Sequence, residues 1–538
     1  MRLIYFRLLV HGSLALVAAA IASGGAVNPR YGGTLRIEMN AATLSLDPRE
    51  WQVGSLEAAS NEKLASLLFE RLVALDNYGR FQPVLATEWS HDGSNRRWQF
   101  TIREGVRFSD GSPLTAADVA AALQPLLTQA LQIAASGNTI VIESSVPARE
   151  LLEQLASGRY FVYRVRASGT LVGTGPFILE EAPAGEGLSA EKTSATLRPE
   201  AADGTPARGG AGHLSFRANA DAWSGRPFVD GIDVSLGVAP LRAMFDLQLG
   251  KADLVELAPD LVQRAKEANL RVWTSEPVTL YGLRFEDAQS AASDVQVREA
   301  LSLSLDRGTM ANVLLQKQAE PAAALLPQWL SGYAFLFNVE SNLERAKELR
   351  RALPANEAGG GEPLRLRVDP AGDLAKLLAE RVAVNARQAA ILVQVLNRPI
   401  AHAGVAAPAP SERPSGVHLF VWHYSSLSPR AELDSLFAAY NLTEPPEGDA
   451  TSAEHELLYE RERRILEEWR VVPLVMEAES VGLGPTVRDW MPARWGEWHL
   501  GDVWLEVPEP AVAQGSHAAS GAAPFYAAKD AVAGGAKP

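Results

Sequence analysis

The sequence contains no cysteine. That absence excludes disulfides, thiol nucleophiles, thiolate metal sites and a lipid-bearing cysteine at a leader junction. Long apolar runs are also missing. The longest near the N-terminus, SLALVAAAIAS (13–23), is too short for a comfortable membrane span. Positive charge is in deficit, with 50 Lys and Arg against 64 Asp and Glu, a formal net charge of -14. A surface of that sign repels phosphate backbones and anionic lipid, so nucleic acid is excluded as a partner. No internal repeat is present.

What is there begins with a leader. Arg2 and Arg7 precede the apolar run, and Ala20, Ala22 and Ala26 offer small-residue exits. The order of basic flank, apolar stretch and small residues predicts a signal peptide over 1–26. The remaining length exceeds what one core serves, and 47% hydrophobic with 21% charged residues is ordinary for a soluble globular body.

GGTLRIEM (32–39) reads as a strand. NEKLASLLFERLVAL (61–75) places Leu64, Leu67, Leu68 and Leu72 at helical spacing. WQFTIREGVRFSDGSPLTAADVAAALQPLL (98–127) alternates as a strand, turns at Asp110-Gly111 and starts a helix behind Thr115, with Asp118 completing a capping box. Trp89 and Trp98 flank a polar turn and are expected on one face of a hairpin. Strands and helices keep interleaving, as in YGLRFE (281–286) followed by DVQVREALSLSLDRGTMANVLL (294–315), which favours an α/β body. Stretches rich in Ala, Gly, Pro and Ser at 181–212, 354–363 and 404–416 read as surface loops, and 508–538 as a disordered tail.

Enzymatic patterns fail on their companions. SNEK (60–63) has serine-x-x-lysine spacing, but no partner motif accompanies it and Ser60 reads as a helix N-cap. His455-Glu456 opens like a zinc-protease helix, yet Tyr459 stands where the second histidine is required. The glycines of GTGPF (173–177) lack phosphate-loop spacing and a following Lys, and no nucleophile elbow occurs. No catalytic residue, metal site or cofactor is therefore expected.

The ordered series YGGTLRI, LSLDP (44–48), LLFERLVALDNYGRFQPVLATEWS (67–90), WQFTIREGVRFSDGSPLTAADV (98–119), LQLGKADL (247–254), VREALSLSLDR (297–307), VVPLVME (471–477) and WGEWHLGDVWLE (495–506) resembles the extracellular solute-binding proteins that serve peptide, dipeptide and nickel importers. The resemblance implies a periplasmic-binding-protein type II-like Venus flytrap with two lobes and an extra subdomain on the first lobe. It puts lobe 1 at 27–275 plus 480–507, the subdomain at about 48–165, lobe 2 at 276–479, and hinge crossings near 275 and 480. It implies an exported, periplasmic monomer that captures a peptide or small-molecule ligand between the lobes and hands it to ABC permease subunits in the membrane.

In peptide-binding members a Trp-containing stretch carries an acidic residue that receives the ligand's ammonium group. The matching stretch is HLFVWHYSSLSP (418–429), where Trp422 is kept but Ser425 stands in the place of the carboxylate. Loss of that carboxylate argues against tight recognition of a free peptide N-terminus, since a buried ammonium needs a partner. Trp422, His423 and Tyr424 would then offer an aromatic, hydrogen-bonding wall to an uncharged or sugar-like ligand, or HLFVW is a buried strand whose Trp is core. The second wall implied by the resemblance is the loop after LSLDP, with Glu57, Ala58 and Ala59 pairing with the ligand main chain; Glu57 equally fits as an acidic residue starting the next helix. The region between LRLRV (364–368) and ELLYERERRILEEW (456–469) looks compressed. A clamshell sensor, a periplasmic chaperone and a degenerate homologue that binds nothing stay open as alternatives.

Overall fold

The computed structural model describes residues 28–41, 44–180, 212–286, 294–333, 337, 340–352, 363–368, 372–396, 416–442 and 454–506. The leader, the tail 508–538 and most of the stretches expected as loops at 181–212, 354–363 and 404–416 lie outside them.

An eleven-stranded mixed sheet runs through the molecule. From one edge its strands are Phe177–Leu179, His213–Ala218, Gly231–Leu236, Thr34–Met39, Leu254–Leu257, Val471–Leu483, Arg271–Phe285, Val417–His423, Leu364–Val368 and Val393–Leu396, with Ala319–Pro321 pairing on Val471–Leu483. The two long antiparallel strands are shared by both halves. Leu254–Leu257 pairs with the end of Val471–Leu483, whereas Val417–His423 pairs with Thr279–Phe285. Between them the ladder shifts register around Pro277, which has no N–H to contribute.

Each half buries its own core. Leu35, Ile37, Leu254, Phe177 and Trp498 fill the first, and Leu283, Leu301, Leu366, Leu419 and Leu474 the second. A third core belongs to a four-stranded antiparallel sheet, Ala86–His91, Arg97–Ile102, Thr139–Ser144 and Leu131–Ser136, backed by the helix Ala116–Leu123. There Trp98 is buried and Trp89 half-buried against the same cluster. Thr115 caps the helix, with a reciprocal bond from its own N–H to Asp118. Gly111 turns the chain at φ +83°.

The helix expected at 61–75 is displaced. It spans Leu56–Leu68 with Ser55 as its cap, so Ser60 sits inside it and is not the cap. Phe69 is extended, and Leu72 precedes the strand Val73–Leu75. The break has a cause in Arg71, whose guanidinium is drawn into burial between Glu62 and Glu497 and donates to the Gly158 carbonyl at 2.7 Å. The region read as compressed carries a parallel βαβ unit: Leu364–Val368, the helix Asp373–Gln388 and Val393–Leu396.

Val417–His423 is buried on both faces because its two alternating sets enter different cores. Leu419 and Val421 join the second-half core; Phe420 and Trp422 join a further cluster with Tyr424, Leu433, Leu436 and Ile465. Among the described residues no helix is long and apolar enough to cross a membrane.

Candidate functional site

The end of Val417–His423 and the segment that follows it form a seam with the N-terminal half. Trp422 is 2% exposed and its indole N–H donates to Glu432 Oε2 at 2.9 Å. The other oxygen of Glu432 accepts the Ser425 N–H at 2.7 Å and that of Ser426. Burial pushes the Glu432 carboxyl up to about 7, against the pull of these donors. A carboxylate thus stands beside Ser425, delivered by the helix Pro429–Ala439 rather than by residue 425 itself.

His423 is buried, its backbone N–H donating to the Gly54 carbonyl at 2.7 Å and its Nδ1 lying 3.1 Å from Thr279 Oγ1. Burial pulls its pKa down to about 4, outweighing the Glu479 carboxylate 3.9 Å away. The ring is neutral near pH 7. Tyr424 donates its N–H to Val278 and its hydroxyl to the Leu325 carbonyl. Ser425 turns its carbonyl to Gly158, the Leu427 N–H donates to Ser157 Oγ at 3.0 Å, and Ser428 Oγ donates to Glu150.

Glu57, Ala58 and Ala59, expected in the loop after LSLDP, occupy instead the first turn of Leu56–Leu68, where the Ala58 N–H donates to Ser55 Oγ and the Ala59 N–H to the Ser55 carbonyl. Ala58 and Ala59 are buried, and Glu57 is exposed in the acidic first-turn position. The segment that meets the wall is Val53-Gly54, a few residues upstream.

Beneath the wall lies a buried charge cluster. Lys63 Nζ is 3.0 Å from both Glu256 Oε1 and Glu479 Oε2. Burial alone would depress this lysine; the two carboxylates outweigh it and hold the ammonium above its ordinary pKa. Glu477, two residues from Glu479, accepts the Tyr281 hydroxyl at 2.8 Å. None of Glu432, Glu477, Glu479 or Lys63 was singled out from sequence, although Lys63 belonged to the SNEK pattern. Among the described residues no group of three or more His, Asp or Glu is placed to hold a metal ion.

Residues 80–442 match the model of the bacterial extracellular solute-binding proteins, family 5. The Streptomyces lividans protein XP55 is 26% identical over 322 residues, covering 55% of this chain and 53% of the relative. The nickel-binding periplasmic protein of Escherichia coli K12 is 23% identical over 362 residues, covering 60% of this chain and 64% of the relative. The match therefore spans between about half and two thirds of the length of these curated relatives. The solved structure of the Escherichia coli murein tripeptide binding protein MppA superposes with a TM-score of 0.69 at 17% identity, covering 89% of this chain and 99% of that one. At that identity the likeness establishes the fold, a type II periplasmic binding protein.

Proposed function

The chain belongs to the bacterial extracellular solute-binding proteins, family 5, and from this premise we propose that it is the exported binding component of an ABC importer, capturing a peptide or similar small solute between two lobes. The observation that carries the reading is the seam. Trp422, His423, Ser425 and Leu427 on one side meet Gly54, Gly158 and Ser157 on the other, at the level where the two long strands pass between the halves. Lobe 1 is taken as 27–275 with 480–507, carrying the subdomain 48–165, and lobe 2 as 276–479. The irregular ladder around Pro277 suits a hinge.

Ligand held between lobes favours the closed form by its differential affinity, which gives a membrane transporter a shape to recognise. The protein acts by binding and not by catalysis, in the periplasm, as a monomer that delivers to permease subunits. The names of relatives that bind nickel or murein peptides support this ligand range. Glu432, its oxygens taken by the Trp422 indole and the Ser425 and Ser426 N–H groups, shapes the Trp422 corner, which suits a ligand held there by its main chain more than by an ammonium group.

The test is a thermal-shift screen of the purified chain against di- to pentapeptides, oligosaccharides and nickel chelates. A ligand at a hundred times its Kd adds about 2.7 kcal/mol to stability. A shift with peptides upholds the importer reading, and a shift with oligosaccharides alone moves specificity to the aromatic wall. No shift with any of the three overturns it in favour of a homologue that does not bind.

A further inference from the structure

The loop Trp51–Ser55 is fastened at both ends to the N-terminal half. Trp51 is buried, donates its indole N–H to the Ser45 carbonyl at 2.8 Å and packs edge-on against Phe161. Ser55 caps the following helix, and its N–H closes a turn on the Gln52 carbonyl at 3.1 Å. The turn projects Val53 and Gly54 across the seam.

At the tip, three independent features fit Gly54 to the opposite strand end. Its carbonyl accepts the His423 N–H at 2.7 Å. Its φ of +80° is a left-handed conformation that glycine adopts without cost. A Cβ at this position would lie well inside van der Waals distance of Cε3, Cζ3 and Cδ2 of Trp422, so the indole lies directly on the glycine α-carbon. Val53 adds apolar packing on the cluster that holds Trp422 and Tyr424.

A strand end presents backbone groups that demand partners once buried, and an extended ligand chain satisfies them by adding its own main chain. Here the protein's own loop supplies the carbonyl. We propose that Trp51–Ser55 is an interlobe latch whose tip occupies, in the absence of ligand, the place on Trp422 and His423 that a ligand's main chain would take. This inference rests on reading the seam as the ligand cleft. Because the loop belongs to one half and the strand end to the other, the latch holds the halves together and is broken whenever they part. It also competes with ligand: the apparent Kd is the intrinsic one divided by the fraction of molecules whose latch is open.

The experiment uses the cysteine-free background. Tyr78, 84% exposed on the N-terminal half, and Val384, 46% exposed on the C-terminal half, are replaced by cysteine and spin-labelled in the full chain. Pulsed electron-electron distance measurements are then made without any ligand. The parent is expected to give one narrow distance, and Gly54→Val a longer and broader distribution with an unchanged circular dichroism spectrum. Val53→Asp, which keeps the glycine and the strand, is expected to lengthen the distance in the same way and serves if Gly54→Val does not fold. Distributions in the folded variants that superimpose on the parent's overturn the latch. Since no ligand enters the measurement, that failure is distinct from failure of the binding reading, which the thermal-shift screen decides.

Discussion

Replacing Glu477 by glutamine should make the protein less sensitive to alkali, and the size of the effect follows from where the carboxylate sits. Glu477 lies on the long crossing strand, with Tyr281 donating to its Oε2 at 2.8 Å. Burial pushes its pKa from 4.5 up to about 7; the Tyr281 bond pulls the other way, and the neighbouring Glu479 charge pushes further up. The folded protein therefore binds this proton more tightly than the unfolded chain. The stability it contributes is fully present below pH 4.5 and is lost as pH rises through about 7. Each unit of such a shift is worth about 1.4 kcal/mol, so the full loss is on the order of 3 kcal/mol. Glutamine cannot ionise and still accepts the Tyr281 hydroxyl. Urea unfolding followed by circular dichroism at pH 5 and pH 8 should show Glu477→Gln gaining on the parent at pH 8 by that order, with most of the gain gone at pH 5. His423, whose depressed pKa costs stability as pH falls below 6.5, acts alike in both proteins and cancels from the comparison. An equal difference between the two proteins at both pH values would refute the reasoning.

Lys63→Met leaves the partly buried Glu256 and Glu479 carboxylates without their shared cation and should destabilise by about 1.5–3 kcal/mol, read as a fall in thermal midpoint; an unchanged midpoint contradicts the cluster. Trp422→Ala removes a ring 2% exposed and should cost about 3–5 kcal/mol in urea unfolding, whereas a loss within a few tenths would mean the indole is not core. Thr115→Ala deletes one arm of the capping box on Ala116–Leu123 and should cost about 1 kcal/mol, with Thr115→Ser restoring most of it in the same assay.

Much of the fold is legible where local chemistry decides it. The alternation of Trp98, Phe100 and Ile102, the Gly111 turn and the Thr115–Asp118 box each specify their element within a few residues, and each forms as read. The Leu64–Leu72 spacing misleads at its end because the decision there is not local. Arg71 closes an ion pair with Glu62, nine residues back inside the helix, but also with Glu497 at the far end of the sequence, and no periodicity records that second partner. The strand at 417–423 shows the opposite case. A continuous apolar run is what two flanking cores demand, so the run itself announced burial, while giving no sign of which alternate set meets which core.

The site is half legible for the same reason. Trp422 through Ser425 can be picked out by resemblance, and of the two readings offered for Trp422 the structure bears on the core one, placing the ring in a buried cluster with its indole N–H on Glu432. The carboxylate missing at 425 is supplied seven residues later by the fourth position of a capped helix, a displacement that linear matching cannot follow. Its oxygens are already engaged by the Trp422 indole and the Ser425 and Ser426 N–H groups. Glu432 therefore spends its charge in shaping the wall. An ammonium brought here would have to compete with three donors already in place, and burial that raises the Glu432 pKa to about 7 weakens the carboxylate further near neutrality. If the proposed cleft is here, what it offers a ligand is a flat indole face and the His423 backbone N–H, both of which Gly54 covers. On the proposed reading, recognition at this corner is by main-chain shape more than by charge, which is why a loop of the protein itself, with no ammonium to offer, fits it.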